Sequence, residues 1–363
     1  MFEDVQYKSD CRFFRGDIPC KPHKLEGVHC RDCPHYKPTD RNILIIKLGA
    51  IGDVIRTTPL LQKLRSLYPN ARIWWLTLTP EILPEDVDVK LAFDVKSAMT
   101  ILAINFDLLI NLDKDREACA LTDRIDASVK KGFYLQNGVC APLNDDARDK
   151  FMTGIFDDIN KANTKHYVQE IFEICGYEWK GEDYVLEFVP EEFGVPHDTP
   201  VIGLNTGCGG RWTSRLWDEK YWIQLIALIR EAGYHPLLLG GPQEDEKNKS
   251  LAAETGAQYL GYFPLQRFFA LMDHCDVVVT GVTMAMHIAI GLKKNMILFN
   301  NIFNRHEFEL YGRGEILEPS KECQCFFLAT CKNDEYQCME HLEPERVFDA
   351  VKRWVPEQAA VSS

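Results

Sequence analysis

Asp53 stands in the segment Lys47-Leu48-Gly49-Ala50-Ile51-Gly52-Asp53-Val54-Ile55-Arg56-Thr57-Thr58-Pro59, directly after an apolar stretch and running into a helical pattern. A carboxylate there can accept a proton from a hydroxyl, a general-base task that requires hydrogen-bond reach of that group. The same residue also suits a plain N-terminal helix cap, worth about 1 kcal/mol. Gly49 and Gly52 allow a tight turn and leave backbone N–H groups near a helix start, where a negative ligand is favoured. The spacing is neither a P-loop nor G-x-G-x-x-G.

Further candidates follow. Asn205-Thr206-Gly207-Cys208-Gly209-Gly210-Arg211-Trp212-Thr213-Ser214-Arg215-Leu216-Trp217 joins a glycine-bearing loop, with Gly207, to two guanidinium groups. Arg211 and Arg215 could each hold the oxygens of an anionic ligand bidentately; either could equally be a surface arginine. Glu244 follows a strand-like run and Gly240-Gly241-Pro242, where it could accept from a ligand or simply be solvated. In the stretch from Thr280 to Gly291, Thr283, Met286 and His287 offer a hydroxyl, a thioether and an imidazole, with core packing the plain reading of Met286 and a satisfied helix histidine that of His287.

Eight of the thirteen cysteines lie in two groups, Cys11, Cys20, Cys30 and Cys33 before the first strand and Cys323, Cys325, Cys331 and Cys338 near the C-terminus. Four thiolates suffice for tetrahedral zinc or for iron, with free thiols or redox chemistry as the alternative. In a long chain without a secretory start, clustered thiols read as metal ligands rather than a disulfide framework. The histidines near the first group are His23, His29 and His35.

These residues need a scaffold. The 363 residues, 46% of them hydrophobic, suffice for two domains. A net charge of −13 argues against a nucleic-acid-coating protein, so an anionic ligand must meet a local basic pocket. The opening residues lack a basic start and apolar stretch, and no apolar run reaches membrane-spanning length, so the expectation is a cytoplasmic protein. Buried strands are expected at 43–46, 73–78, 108–112 and 132–135, then at 201–204, 236–239, 277–280 and 296–299. Helices are expected over 54–67, 166–175 and 221–232. The proline-containing, acidic stretch 189–200 reads as a linker between two doubly wound α/β halves facing a cleft.

The run from Ile45 to Leu60 resembles the opening motif of the heptosyltransferases and their relatives in glycosyltransferase family 9. The Asn205–Trp217 loop, the segment from Leu238 to Glu246, Lys131-Gly132-Phe133 and the His166-led helix add to the resemblance, which spans roughly residues 43–338. It implies a GT-B fold: a Cys-rich arm at 1–40, an acceptor-side Rossmann-like domain at 41–190, a linker at 191–200, a donor-side Rossmann-like domain at 201–320, and a Cys-rich segment with a terminal helix at 321–363. It further implies an inverting transfer in which Asp53 is the catalytic base. The donor, an ADP-heptose, would be bound by Gly49, Gly52, Gly207, Arg211, Arg215, Glu244, Thr283, Met286 and His287, and the acceptor would be a lipopolysaccharide core or another glycan, lipid-linked or not. No catalytic metal and no nucleic acid are expected, and membrane contact would be peripheral, at the inner membrane.

The sequence departs from the family at Val282, where an Asp is usual, at Met284, where Gly is usual, and in the polar, aromatic loop 299–308, which suggests an altered donor or acceptor. A catalytically silent nucleotide-sugar-binding or scaffold protein is the alternative these departures raise. An epimerase of the same fold has less support.

Overall fold

The computed structural model describes residues 6–210 and 212–356. They form two compact units: the first takes residues up to Ala50 with Thr58–Phe151 and Ile171–Glu182, and the second takes Ile51–Thr57, Met152–Glu170 and the chain from Asp183 onward.

The first unit is built on β1 (Arg41–Ile46), β2 (Ala71–Thr77), β3 (Val89–Ala92), β4 (Phe106–Asn111), β5 (Ala127–Gln136) and β6 (Val139–Pro142). Their order is β3-β2-β1-β4-β5-β6, parallel throughout except for β6 against β5. Ile43, Leu44, Ile45 and Ile46 are all fully buried, the unbroken apolar run expected of a strand covered on both faces. Leu44, Ile46, Leu76, Phe106 and Leu109 form the core of one face with Ile101 and Ala118 from the flanking helices and Ile125 just beyond the second of them. Gly132 on β5 has φ +100°, and a Cβ there would lie 1.8 Å from the Asn111 carbonyl oxygen of β4, so the sheet at this point admits glycine alone.

The second unit carries β7 (Val201–Asn205), β8 (His235–Leu239), β9 (Val277–Gly281), β10 (Asn295–Phe299) and β11 (Gly314–Leu317), all parallel, in the order β11-β10-β9-β7-β8. Trp217, Trp222, Leu225, Ile226 and Ile229 pack on this sheet with Val347, Ala350 and Val351 of the helix Pro344–Trp354. The strand order reverses between β1 and β4 in the first sheet and between β7 and β9 in the second. At such points the loops leaving the strand ends splay apart and open a crevice for ligands.

All eight strands expected from the sequence are present; β3, β6 and β11, four residues each, were too short to stand out. The expected helix over 54–67 is instead two helices, Ile51–Ile55 and Pro59–Leu67. Pro59 has no N–H to offer the carbonyl one turn back, so the first helix closes at Thr57 and a second begins with the proline at its first turn. Residues 189–200 carry neither helix nor strand and belong to the second unit. No helix among the described residues is long and apolar enough to cross a membrane.

Candidate functional site

In the first unit, the chain leaving β1 is tied to the end of β4. The Asp113 carboxylate accepts from the Leu48 backbone N–H at 2.6 Å and pairs with Lys47 at 3.2 Å, with all three residues buried. A buried ion pair of this kind fixes geometry more than it adds stability. It holds the turn through Gly49 at the switch point.

In the second unit, Asp53 is the third residue of Ile51–Ile55, inside the first turn rather than at its cap. Its side chain, about a third exposed, pairs with Arg56 at 2.8 Å across i,i+3. Arg56 also faces Glu307 at 3.6 Å and lies 3.2 Å from the centre of the Tyr167 ring. Burial alone would lower the Arg56 pKa, but the charges of Asp53, Tyr167 and Glu307 outweigh it and leave it above its ordinary value. The Asp53 carboxylate is therefore aimed by a guanidinium that is itself held on two other sides. Tyr167 opens the helix Tyr167–Ile174, whose preceding residue His166 accepts from the Gln169 N–H at 3.2 Å through Nδ1.

His287 backs this helix. A Cβ on Gly52 would come within 2.4 Å of its ring, so glycine is what lets Ile51–Ile55 lie against the helix Met284–Gly291. His287 stacks on Tyr184 and its Nδ1 lies 3.4 Å from the Tyr184 hydroxyl. Desolvation, with Arg56 adding to it, pushes its pKa down to about 3, so the ring is neutral at physiological pH. Met286 is wholly buried, in the packing role its residue type allows.

The loop after β7 lies at the second switch point. Asn205 donates to Thr280 at 3.0 Å, to Thr283 at 3.3 Å and to the Gly207 carbonyl at 3.1 Å, tying the ends of β7 and β9 together. Thr283 caps its helix by accepting from the Ala285 N–H at 3.1 Å. Arg215 donates to the Val282 carbonyl, reaches the Cys208 carbonyl at 3.4 Å, and lies over the rings of Phe303 and Trp212. Desolvation lowers its pKa, and no carboxylate among the described residues compensates its charge. Its Nε is buried without a partner among the described residues. Arg211 lies outside the described residues.

Glu244 accepts from the Gly241 N–H at 3.0 Å and lies against Gly207, where a Cβ would meet its carboxylate at 2.0 Å. Beside it, Lys247 donates to the Thr206 carbonyl at 2.7 Å, and desolvation lowers its pKa. The loop after β10 is fastened by Asn304, which donates to the carbonyls of Asn160 at 2.6 Å and Asn163 at 2.7 Å, and it carries both Phe303 and Glu307.

All thirteen cysteines are free. The N-terminal four line one cavity of about 20 Å³ in the first unit, walled by Phe13, Phe14, Pro22 and Tyr36. The C-terminal four line a cavity of about 660 Å³ in the second unit. There Cys325 and Cys331 sulfurs are 3.7 Å apart and Cys323 is hydrogen-bonded to Cys338. Cys338 is pushed down to about 6, chiefly by the bond from Cys323, with burial opposing and Asn301 assisting. Backbone N–H groups of Cys325 and Lys332 point at the sulfurs of Cys323 and Cys325 at 3.4 and 3.3 Å. Elsewhere, Glu192, His197 and His274 bring three ligating atoms within 4.8 Å of one another; it is the one such trio among the described residues.

The structure therefore gathers Asp53, Gly52 and His287 in one cluster and Gly207, Arg215, Glu244 and Thr283 around the β7 and β9 loops. Reading the sequence missed Arg56 and Glu307 as partners of Asp53, Asp113 as anchor of the β1 turn, and Lys247 beside Glu244. Arg56 had a local signal, lying three residues after Asp53. Glu307 had none, because some 250 residues of chain separate it from its partner.

Residues 96–312, more than half of the chain, match the sequence profile of glycosyltransferase family 9 (heptosyltransferase). Among solved structures, the chain is similar to a family 9 glycosyl transferase from Veillonella parvula, with TM-score 0.69 and 19% identity over 87% of this chain and 97% of that one. It is also similar to the ADP-heptose lps heptosyltransferase II of E. coli, with TM-score 0.61 and 15% identity over 86% and 98%. A third is the iron-containing dodecameric glycosyltransferase TibC of enterotoxigenic E. coli, with TM-score 0.53 and 14% identity over 87% and 76%. At these identities the likeness shows the fold, which is GT-B. No curated protein sequence matches.

Proposed function

The chain belongs to glycosyltransferase family 9, and from that premise we propose that it is an inverting enzyme that moves heptose from ADP-heptose to a glycan acceptor such as lipopolysaccharide core. The observation that carries the reading is Asp53, a partly exposed carboxylate oriented by Arg56, which Glu307 and Tyr167 hold in turn. In the proposed step Asp53 takes the proton of the acceptor hydroxyl, the freed oxygen bonds to the anomeric carbon, and the bond from that carbon to the diphosphate breaks on the opposite face. The diphosphate leaves with the electron pair, and Arg215 supplies positive charge where negative charge develops, with Lys247 assisting. Arg211 is proposed to share that role. Glu244 is proposed to accept from the ribose, and Gly49, Gly52, Gly207 and Thr283 to shape the backbone around the donor. Buried Met286 and neutral His287 support the helix from behind.

We also propose that the two cysteine groups hold structural zinc or iron, with no metal in the transfer step. The donor sets fit: four thiols line each cavity, and N–H groups point at sulfur in the second group. A bound metal would cross-link segments that have little core of their own. The domain division at 41–190 and 201–320, a cytoplasmic location and peripheral contact with the inner membrane belong to the same reading.

The test is a thermal-shift and mass-spectrometric screen with ADP-heptose, other ADP-, GDP- and UDP-sugars, and their bare diphosphates. Stabilisation by ADP-heptose, with release of ADP when lipopolysaccharide acceptor is added, is the expected result. Stabilisation without release under any acceptor would favour a silent nucleotide-sugar binder, the reading that Val282 and Met284 raise.

A further inference from the structure

Arg215 ends the single turn Thr213–Arg215, which buries none of its residues, so its place is set by what the turn rests on. That seat is the loop between Cys325 and Cys331. The Ser214 N–H donates to the Ala329 carbonyl at 3.0 Å, the Ser214 hydroxyl to the Leu328 carbonyl at 2.6 Å and the Thr213 hydroxyl to the Ala329 carbonyl at 3.4 Å. The same loop supports the aromatic face against the guanidinium. Phe327 donates its N–H to the Ile302 carbonyl at 2.9 Å and meets the Phe303 ring edge-on at 5.0 Å, and Phe303 in turn lies 5.3 Å from the Arg215 guanidinium. Asn301 ties the turn to a thiol directly, its amide donating to the Ser214 carbonyl at 2.8 Å and to the Cys338 sulfur at 3.3 Å. The cavity of about 660 Å³ that the four thiols line is lined by Thr213, Ser214 and Lys247 as well.

The seat has little framework of its own. Residues 318–337 carry neither helix nor strand, and Phe327 holds φ +51°, which an aromatic residue keeps only where its surroundings impose it. Closure at the loop's ends can impose such a shape, and the sulfurs at those ends, Cys325 and Cys331, stand 3.7 Å apart. Two thiolates on one zinc stand about 3.8 Å apart, given metal–sulfur bonds of about 2.3 Å. The remaining pair, Cys323 and Cys338, is hydrogen-bonded, and the Cys325 N–H points at the Cys323 sulfur at 3.4 Å.

We infer that the Cys325–Cys331 loop, closed by a zinc or iron ion on Cys323, Cys325, Cys331 and Cys338, positions Arg215 for the donor diphosphate. This rests on the readings that these cysteines are metal ligands and that Arg215 meets the diphosphate; what it adds is the coupling of one to the other. Ser214 and Asn301 are the positioning residues. With the loop closed, the Leu328 and Ala329 carbonyls stand where the turn needs them and Phe327 backs Phe303. With the loop open, the turn is in place for only a fraction of the time, and the apparent affinity for the diphosphate falls by that fraction. Ligation releases the thiol protons and changes no oxidation state.

The experiment uses the full chain as native protein, Cys325→Ser/Cys331→Ser, Cys331→His and Ser214→Ala. Each is measured for metal per chain, melting temperature, amide hydrogen exchange over residues 212–218 and 300–304, and ADP binding by calorimetry. The double variant should hold less metal than the native protein, exchange faster over both stretches with β8 unchanged, and bind ADP about tenfold more weakly. Cys331→His, which keeps a metal-ligating side chain, should restore metal, protection and affinity. Ser214→Ala should keep the metal and still lose ADP affinity, a result that a merely structural metal would not produce. Unchanged metal content in the double variant, native protection over 212–218 once the metal is gone, or native ADP affinity in Ser214→Ala would each overturn the inference. Native protein that binds no ADP would sink the proposed donor instead, and hydrogen exchange would then decide the coupling by itself. Should the double variant fail to fold, Cys331→His and Ser214→Ala decide it.

Discussion

Arg56 and Arg215 are both drawn largely out of water in the second unit, and their surroundings treat the charge in opposite ways. Arg56 is answered by two carboxylates and an aromatic face, and its charge is held more firmly than in water. Arg215 is answered by backbone carbonyls and ring faces, with no carboxylate among the described residues to neutralise it. A compensated guanidinium orients what it touches. An uncompensated one waits for an anion, because its desolvation is repaid when the anion arrives. In the proposed transfer the first would serve the base, Asp53, and the second the leaving group.

The sharpest way to break that division is to remove one function from each side. Asp53→Asn keeps shape and a hydrogen-bonding group but cannot take a proton, so turnover should fall about 10²–10⁴-fold with donor affinity and melting temperature preserved. Arg215→Ala should instead weaken binding of the nucleoside diphosphate as well as turnover, by about 10²–10³-fold in kcat/KM, without lowering the melting temperature. Equal loss of donor affinity in both variants, measured by calorimetry with the diphosphate, would dissolve the distinction.

A pair of glycines sharpens it further. In Gly52→Ala the new methyl meets the buried His287 ring, which has nowhere to go, so stability should drop by about 1–3 kcal/mol in denaturant unfolding. In Gly207→Ala the obstacle is the Glu244 side chain, which can swing aside. That variant should keep its stability and lose donor affinity. A Gly207→Ala protein as unstable as Gly52→Ala would show that Glu244 is locked rather than available to a ligand.

The smallest effect is on pH dependence. In the unfolded chain His287 takes a proton near 6.5, while in the folded protein it stays neutral down to about 3. Between these values the unfolded state binds more protons, so the contribution is complete above pH 6.5 and declines as pH falls toward 3. His287→Gln should flatten the stability profile between pH 6.5 and 4. An unchanged slope would mean that the ring is protonated in the folded state.

Much of the scaffold was legible because its signals are local. Ile43 to Ile46 read as a buried strand from their own side chains, and Gly176, with φ +73°, marked the end of the helix before it. The break at Pro59 was also local, and the apolar spacing of Val54, Leu60, Leu61, Leu64 and Leu67 obscured it by continuing smoothly across the proline. The candidate site was half legible. Asp53 and Arg215 stand in recognisable runs, yet what makes each effective comes from Glu307, Tyr167, Val282 and Phe303, which the sequence lists far away.

What the sequence by itself determined is the eight longer strands, the residue types at the loop ends and the eight thiols, because strand burial, turn chemistry and side-chain types are written residue by residue. The tertiary structure alone decided the strand orders that make the β1/β4 and β7/β9 ends switch points, which arginine is neutralised, and that each group of four thiols lines one cavity. Those depend on distances between segments brought together from across the chain, and a distance through space has no period or motif in the sequence to announce it.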